Sequence, residues 1–197
     1  MKILHIDCSP RPVSHSRRLS AAIVARMRAR HPEATVVRRD LGLDPLPHAE
    51  AGYAAALSSP DALAMGLADG AMRLSERLIQ EVEAADILVI GTPMNNFTVP
   101  SVLKAWIDQI LRIGRTFSSS PSGKIGLLRD RPVFIGIASG SVFTGERANQ
   151  PDFLTPYVRA AFGCIGLNTL HFLPLQATAF LDEDRLAAAR ETLLATI

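Results

Sequence analysis

Apolar residues are distributed along the chain in two alternating rhythms. Short runs rich in Ile, Val and Leu occur at "KILHID" (2–7), "ATVVRRDL" (34–41), "DILVIG" (86–91), "RPVFIGIAS" (131–139) and "TLHFLPLQA" (169–177). Runs of this length and composition predict five buried strands. Between them, apolar residues return with helical spacing: Leu19, Ile23 and Met27; Leu74, Leu78 and Val82; Leu103, Ile107 and Leu111. The stretch from Phe153 to Phe162 and the segment "RLAAARETLLATI" share that period. Each predicts a helix with one apolar face.

Alternation of strand and helix implies a parallel sheet, because parallel neighbours need long crossovers and helices supply them. The expected fold class is α/β: a doubly wound, five-stranded parallel sheet in the flavodoxin-like order 2-1-3-4-5, with helices on both faces. A chain of 197 residues can bury a sizeable core, and one domain spanning residues 1–197 is expected. One connection breaks the rhythm. Between strands 2 and 3, "GLDPLPHAEAGYAAALSSPDALAMGLADG" is too long for an ordinary linker. It reads either as a surface insertion with a short helix or two, or as a flap beside a site. "SSSPSG" (118–123) reads as a short low-complexity loop.

Composition narrows the classes. With 48% hydrophobic and 20% charged residues, a soluble globular domain is expected rather than a disordered or fibrous chain. The net charge is only +2, and the densest basic stretch, "RMRARH", lacks interleaved aromatics. It reads as a solvated helix face, so no nucleic-acid partner is expected. The first ten residues, "MKILHIDCSP", carry one lysine and a short apolar run ended by Asp7. That run is too brief for a signal peptide or a membrane span. Cys8 and Cys164 have no metal-ligand spacing, and Cys164, within "FGCIG", reads as a reduced core residue. A cytoplasmic protein with no membrane partner and no metal is the expectation.

In an open parallel sheet, ligands collect beyond the carboxyl ends of the strands. The segments there, after strands 1, 3 and 4, are "CSPRPVSHS", "TPMNNF" and "ASGS", all rich in small polar residues. In the expected strand order they converge on one crevice. The first places Ser9, Ser14 and Ser16 at the start of a helix, where hydroxyls and free N–H groups suit a phosphate. Arg17 and Arg18 fall in the first turn of that helix. A cation there opposes the helix dipole by roughly 0.3 to 1 kcal/mol, a penalty that a bound dianion would reverse.

Neither G-x-G-x-x-G nor G-x-x-x-x-G-K-[ST] occurs, which favours a monophosphate over a pyrophosphate. Four charge-assisted hydrogen bonds would contribute about 6 to 12 kcal/mol against an association cost of about 4 to 15. A planar group gripped by the other two segments would supply the remainder, which points to flavin mononucleotide. Met94 and Phe97 can pack on a flat ring, while backbone N–H groups and the Asn96 amide meet its polar edge. Taken alone, "MNNF" is equally an asparagine turn with two core anchors.

The ordered set of segments resembles the FMN-dependent NADH azoreductases, which are also FMN-dependent NADH:quinone oxidoreductases. The likeness covers nearly the whole length. It includes the serine loop, "RRDLGLDPLP", "PMNNF" followed by "LKAWID", "RTF" at 115–117, the glycine-containing loop after strand 4, and "LTPYVRAAFGCIG". The resemblance implies that Ser9, Ser14, His15 and Ser16 hold the FMN phosphate. It implies that Met94, Asn95, Asn96 and Phe97 border the isoalloxazine, and that Ala138, Ser139, Gly140 and Ser141 contact its pyrimidine end. It also implies homodimers with two active sites at the interface, the helix bearing Lys104, Trp106 and Asp108 forming part of the contact. Trp106 alone also reads as a core or surface aromatic.

The chemistry implied is hydride transfer from NADH or NADPH to the flavin N5, then two-electron reduction of a quinone or azo compound in a ping-pong sequence. The cofactor carries that chemistry, and no protein side chain is expected to be catalytic. Three departures bear on substrate preference. Asn95 stands where the family commonly has tyrosine, Ser141 replaces a glycine of the usual pair, and "SSSPSG" lacks an aromatic. His5 lies on a strand and reads as a satisfied buried histidine. An NAD(P)H-dependent FMN reductase and a flavodoxin-type electron carrier are the alternatives. A receiver domain lacks its phosphoacceptor, since strand 3 ends in "GTPM".

Overall fold

Each apolar run forms a strand within two residues of its expected bounds, and the chain order is β1 (Lys2–Asp7), α1 (His15–Arg30), β2 (Thr35–Asp40), α2 (Ala51–Ala56), α3 (Pro60–Ala68), α4 (Arg73–Ala84) and β3 (Ile87–Pro93). There follow α5 (Ser101–Ile110), β4 (Phe117–Ser120), β5 (Gly123–Gly126), β6 (Val133–Ala138), α6 (Leu154–Cys164), β7 (Leu170–Leu175) and α7 (Glu183–Leu194). The structure, a computed structural model, describes residues 1–68 and 70–197.

Five strands pair in parallel in the order β2-β1-β3-β6-β7. Counting these five alone, this is the order 2-1-3-4-5. The chain leaves β1 toward β2 and leaves β3 in the opposite direction, so the carboxyl ends of β1 and β3 flank the reversal. Successive strand residues point to opposite sides. Accordingly Leu4, Ile6, Leu88, Ile90 and Ile135 join Leu78, Leu103, Ile107 and Phe162 in one apolar cluster. Ile3, Val89, Phe134 and Leu173 join Leu19, Ile23, Met27 and Leu186 in a second. Each fully buried Leu or Ile contributes about 1.5 to 3 kcal/mol.

Burial is less uniform than the apolar runs imply. β1, β3 and β6 are largely buried, whereas β2 has no buried position and β7 is buried at only two. β2 and β7 are the two edges of the sheet. An edge strand has one neighbour and correspondingly less cover.

Close approach at the centre comes from a missing side chain. A Cβ on Gly91 would lie 2.5 Å from Ser20 Oγ and 2.8 Å from the Ser16 carbonyl oxygen. Glycine in β3 therefore lets α1 lie against the sheet with its N-terminus beside the strand ends.

The long connection after β2 holds two short helices, α2 and α3; its position 69 lies outside the described residues. Tyr53 anchors it by donating a hydrogen bond to the Asp108 carbonyl at 3.0 Å and by packing with Ala56 and Met72. "SSSPSG" is not a loop throughout. β4 and β5 pair antiparallel with Ser120 opposite Gly123, so Pro121 and Ser122 form the turn. Pro and Gly in sequence terminate strands without preventing a hairpin. Lys124 sits 4.0 Å over the Phe117 ring.

Trp106 does not reach a surface where another copy could contact it. It is fully buried, edge-on to Phe162 with ring centroids 6.2 Å apart. Lys104 and Asp108, on the same helix, are exposed and pair with each other at 2.6 Å. Cys164 is half-buried rather than in the core, while Cys8 is buried; both are free thiols. Among the described residues, no helix is long and apolar enough to cross a membrane.

Candidate active site

The β1–α1 loop is built around an open helix start. Ser14 is the N-cap, with extended backbone (φ −77°, ψ 155°), and its hydroxyl accepts from Arg17 N–H at 3.3 Å. That caps one of the orphan donors of the first turn. The N–H groups of His15 and Ser16 have no partner among the described residues. Ser14 Oγ and Ser16 Oγ lie 3.3 Å apart, and the Ser9 hydroxyl accepts from Arg11 N–H at 3.3 Å. His15 Nδ1 is buried with no hydrogen-bond partner. Burial lowers the His15 pKa; Glu183 opposes this, and the nearby Arg18 and Arg11 add to it. Free N–H groups, hydroxyls and a helix N-terminus together make an anion site.

The arginines of the first turn do not serve that site. Arg17 is buried and turned downward: Nη1 donates to Asp40 Oδ2 at 2.7 Å and Nη2 to Asp40 Oδ1 at 2.5 Å. Its Nε and Nη2 also donate to the Ser9 carbonyl at 2.9 and 2.6 Å. Arg18 pairs with Glu183 of α7 at 2.9 Å. The helix-dipole penalty expected of these two cations is thus offset by carboxylates, and no bound anion is needed to relieve it. A Cβ on Gly42 would lie 2.1 Å from the Ser9 carbonyl oxygen, so only glycine fits where the chain leaving β2 crosses this loop.

Asp7, at the end of β1, anchors the loop from below. It accepts from Ser20 Oγ at 2.8 Å and from Arg38 Nη2 at 2.7 Å, while His5 Nε2 stands 3.5 Å away. Burial alone would raise its pKa, but hydrogen bonds and charge from His5, Ser20 and Arg38 hold it at about 2. His5, 3.0 Å from Ser20 Oγ, is the satisfied buried histidine that its strand position implies.

After β3 the chain makes a two-residue turn. Asn95 and Thr98 exchange both backbone hydrogen bonds at 3.0 Å, and the residues between them, Asn96 (φ 48°) and Phe97 (φ 73°), are left-handed. Two consecutive positive φ values mark the hairpin turn that ordinarily takes Asn-Gly. Phenylalanine in the second place is strained by roughly 1 kcal/mol or more. The strain holds the Phe97 ring out, 45% exposed, beside the strand ends. The N–H groups of Asn96 and Phe97 have no partner among the described residues.

After β6, Ala138 accepts from Met94 N–H at 2.9 Å, which locks this loop to the turn. Ser139 is buried and its groups are already engaged. Its N–H donates to Leu175 O at 2.9 Å, and its hydroxyl accepts from Gln150 Nε2 at 2.9 Å and Ser141 N–H at 3.3 Å. Of residues 139–141, only Gly140 has an N–H without a partner among the described residues.

The three loops meet at a cleft of about 320 Å³. From the β1 loop it is lined by Ser9, Pro10, Arg11, Ser14, His15 and Ser16; from the β3 loop by Pro93, Met94 and Asn95; from the β6 loop by Ala138 and Gly140. Asn96, Phe97, Ser139 and Ser141, expected at the site from the sequence, do not line it: Asn96 and Phe97 are exposed and Ser139 is buried. Among the described residues of 43–70, none lines this cleft, and Pro47, His48, Glu50, Tyr53 and Gly70 border a separate cleft of about 420 Å³.

Sequence reasoning missed three residues. Arg11 is the cation that lines the cleft, and it stands in the quoted serine loop, where its exposure could have been weighed against that of Arg17. Thr178, after β7, completes the wall. Gln150 binds Ser139 and also contacts Met94 Sδ at 3.1 Å, with no local pattern to announce it. The lining suits a phosphorylated planar ligand. Serine hydroxyls, free N–H groups and the Arg11 cation line it together with the apolar Pro93, Met94 and Ala138, and the volume falls at the lower end of the range for small-molecule sites.

Comparisons with known proteins agree with this geometry. The family described as flavodoxin-like fold matches residues 1–197. The chain is 48% identical over 192 residues to FMN-dependent NADH:quinone oxidoreductase 4 of Pseudomonas fluorescens, covering 97% of this chain and 89% of that protein. It is 45% identical over 200 residues to FMN-dependent NADH:quinone oxidoreductase 5 of Burkholderia lata, covering 98% and 95%. Among solved structures, an FMN-dependent NADH-azoreductase from Bacillus anthracis in complex with FMN superposes with a TM-score of 0.81. It covers 99% of this chain and 96% of that one at 22% identity, a likeness of fold. At these identities and coverages, the chain belongs to the family of flavodoxin-like fold that includes the FMN-dependent NADH:quinone oxidoreductases.

Proposed function

We propose that this chain is an FMN-dependent oxidoreductase that uses NADH or NADPH to reduce quinones by two electrons and to reduce aromatic azo compounds, in a ping-pong sequence. The observation that carries the reading is the convergence of the open α1 N-terminus, of Pro93, Met94 and Asn95 at the end of β3, and of Ala138 and Gly140 at the end of β6 on one cleft. When bound, FMN supplies the hydride chemistry. The residues bind, orient and shield. Ser9, Ser14 and Ser16 hydroxyls, the His15 and Ser16 N–H groups and the Arg11 guanidinium hold the phosphate. Met94, Asn95, Asn96 and Phe97 border the ring, with Phe97 offering its exposed face to the acceptor. Ala138 and Gly140 meet the pyrimidine end, where the free Gly140 N–H stabilises negative charge. Ser139 and Ser141 shape that loop from behind.

The reading takes residues 1–197 as a single domain and the sheet as doubly wound, supported by the two apolar clusters to which β1, β3 and β6 contribute alternately. It also takes the working form as a cytoplasmic homodimer with two sites at the interface. The half-exposed Phe97 and the exposed Phe153 beside it support a contact there.

The test is direct. The purified protein should carry visible flavin absorption or gain it with added FMN, consume NADH steadily with menadione, and elute at dimer size. A colourless protein that takes up no FMN would falsify the reading. Bound FMN that reduces once without turnover would indicate a carrier, and turnover of free FMN alone a flavin reductase.

A further inference from the structure

The two loops that grip the proposed ring site are tied by a third segment, residues 149–153. Asn149 N–H donates to Val142 O at 2.9 Å, and Asn149 Oδ1 accepts from Val142 N–H at 3.2 Å, which fastens the segment to the β6 loop. At the other end Phe153 N–H donates to Phe97 O at 3.0 Å, and Thr98 Oγ1 donates to Phe153 O at 3.4 Å, which fastens it to the β3 turn. Asp152 roots it in α6, its Oδ1 accepting from the Leu154 and Thr155 N–H groups at 2.9 Å each. Between these fastenings, the half-buried Gln150 amide spans both loops. Its nitrogen lies 2.9 Å from Ser139 Oγ and 3.1 Å from Met94 Sδ, so its two N–H groups can serve one residue on each side.

We infer that Gln150 is a positioning residue: its amide fixes the separation of the β3 and β6 loops, and so the width of the slot that receives the ring and the polar environment at its edge. The inference rests on the functional reading above. An amide suits the task because it offers two donors from one planar group. A sulfur and a hydroxyl on opposite loops are then set at a common distance. Ser139 Oγ relays the constraint, since it also accepts from Ser141 N–H at 3.3 Å and thereby shapes the turn that leaves the Gly140 N–H free. Gln150 does not line the cleft itself.

The test compares Gln150→Ala with the similarly sized Gln150→Met, which keeps the volume, removes both donors and adds no charge. Both variants should bind FMN about tenfold more weakly and show a slightly lower thermal midpoint, since two internal hydrogen bonds are lost. Both should also shift the midpoint potential of the bound flavin, a readout that a purely structural role leaves alone. Ser139→Ala combined with Gln150→Ala should bind no more weakly than the worse single variant, because one tie is removed twice. If Gln150→Ala does not fold, Gln150→Met carries the test.

A measurement without flavin separates this inference from the function. In the apoprotein, hydrogen exchange at residues 94–98 and 139–142 should be about tenfold faster in Gln150→Met than in the unaltered chain. Unchanged exchange, or additive losses in the double variant, overturns the tie whatever the flavin does. Failure of the unaltered chain to bind FMN overturns the functional reading while faster exchange still supports the tie.

Discussion

Arg17 and Asp40 form a two-point ion pair, Nη1 to Oδ2 at 2.7 Å and Nη2 to Oδ1 at 2.5 Å, that joins the first turn of α1 to the end of β2. The same guanidinium holds the Ser9 carbonyl and stands 3.6 Å from Asp7. One buried cation thus fixes the floor of the serine loop and balances two carboxylates. Asp40 is held below the ordinary carboxylate range chiefly by its hydrogen bond from Arg17.

Arg17→Met removes the buried cation and leaves Asp7 and Asp40 sharing only the exposed Arg38. Loss of one partner of a buried pair costs about 3 to 5 kcal/mol. Urea denaturation should show a loss of that order, with FMN affinity falling alongside because Ser9 is released. Unchanged stability would mean that the pair contributes nothing to holding the loop.

Acid should unfold this protein partly through Asp7. Its folded pKa, about 2, lies below the ordinary 3.8, so the folded state favours the ionised form. The resulting stability is fully present above about pH 4 and is lost as pH falls toward 2. The shift is worth on the order of 2 kcal/mol. Asp7→Asn should be less stable at neutral pH and should flatten the profile between about pH 4 and pH 2. Parallel profiles for the two proteins would show that Asp7 does not set it.

Phosphate capture has two separable contributions. Ser16→Asp places a carboxylate against the proposed phosphate and should weaken FMN binding by about a hundredfold or more, as a like-charge contact of about 3 kcal/mol requires. Arg11→Gln should weaken binding by about tenfold and reduce its dependence on salt, because a screened charge has been removed. Fluorescence titration of apoprotein across ionic strengths reads both. Unchanged affinity in Ser16→Asp would place the phosphate elsewhere.

Phe97→Gly separates strain from function. Glycine adopts φ 73° without steric penalty, so the variant should gain roughly 1 kcal/mol and about 2 to 4 °C in thermal midpoint. It should at the same time lose ring contact and bind FMN more weakly. A variant that is less stable would show that the Phe97 side chain contributes more to the fold than its backbone strain removes.

Composition and periodicity were enough for the sheet. The apolar runs at 2–7, 86–91 and 131–139 became β1, β3 and β6, and Leu19, Ile23 and Met27 became the buried face of α1. Burial of apolar surface acts along each element, so its signature is periodic in the chain and legible there. The polar breaks after β1, β3 and β6 were legible too, as segments that the strand order brings together, and Ser9, Ser14, His15, Ser16, Met94, Asn95, Ala138 and Gly140 line one cleft there. Partnership was not legible. That Arg17 is consumed by Asp40 while Arg11 lines the cleft, that Ser139 faces Gln150, and that Trp106 is buried against Phe162 are decided by contacts between residues distant in sequence. Such contacts have no period. A hydrogen bond or ion pair depends on distances of about 3 Å, which only the folded chain sets.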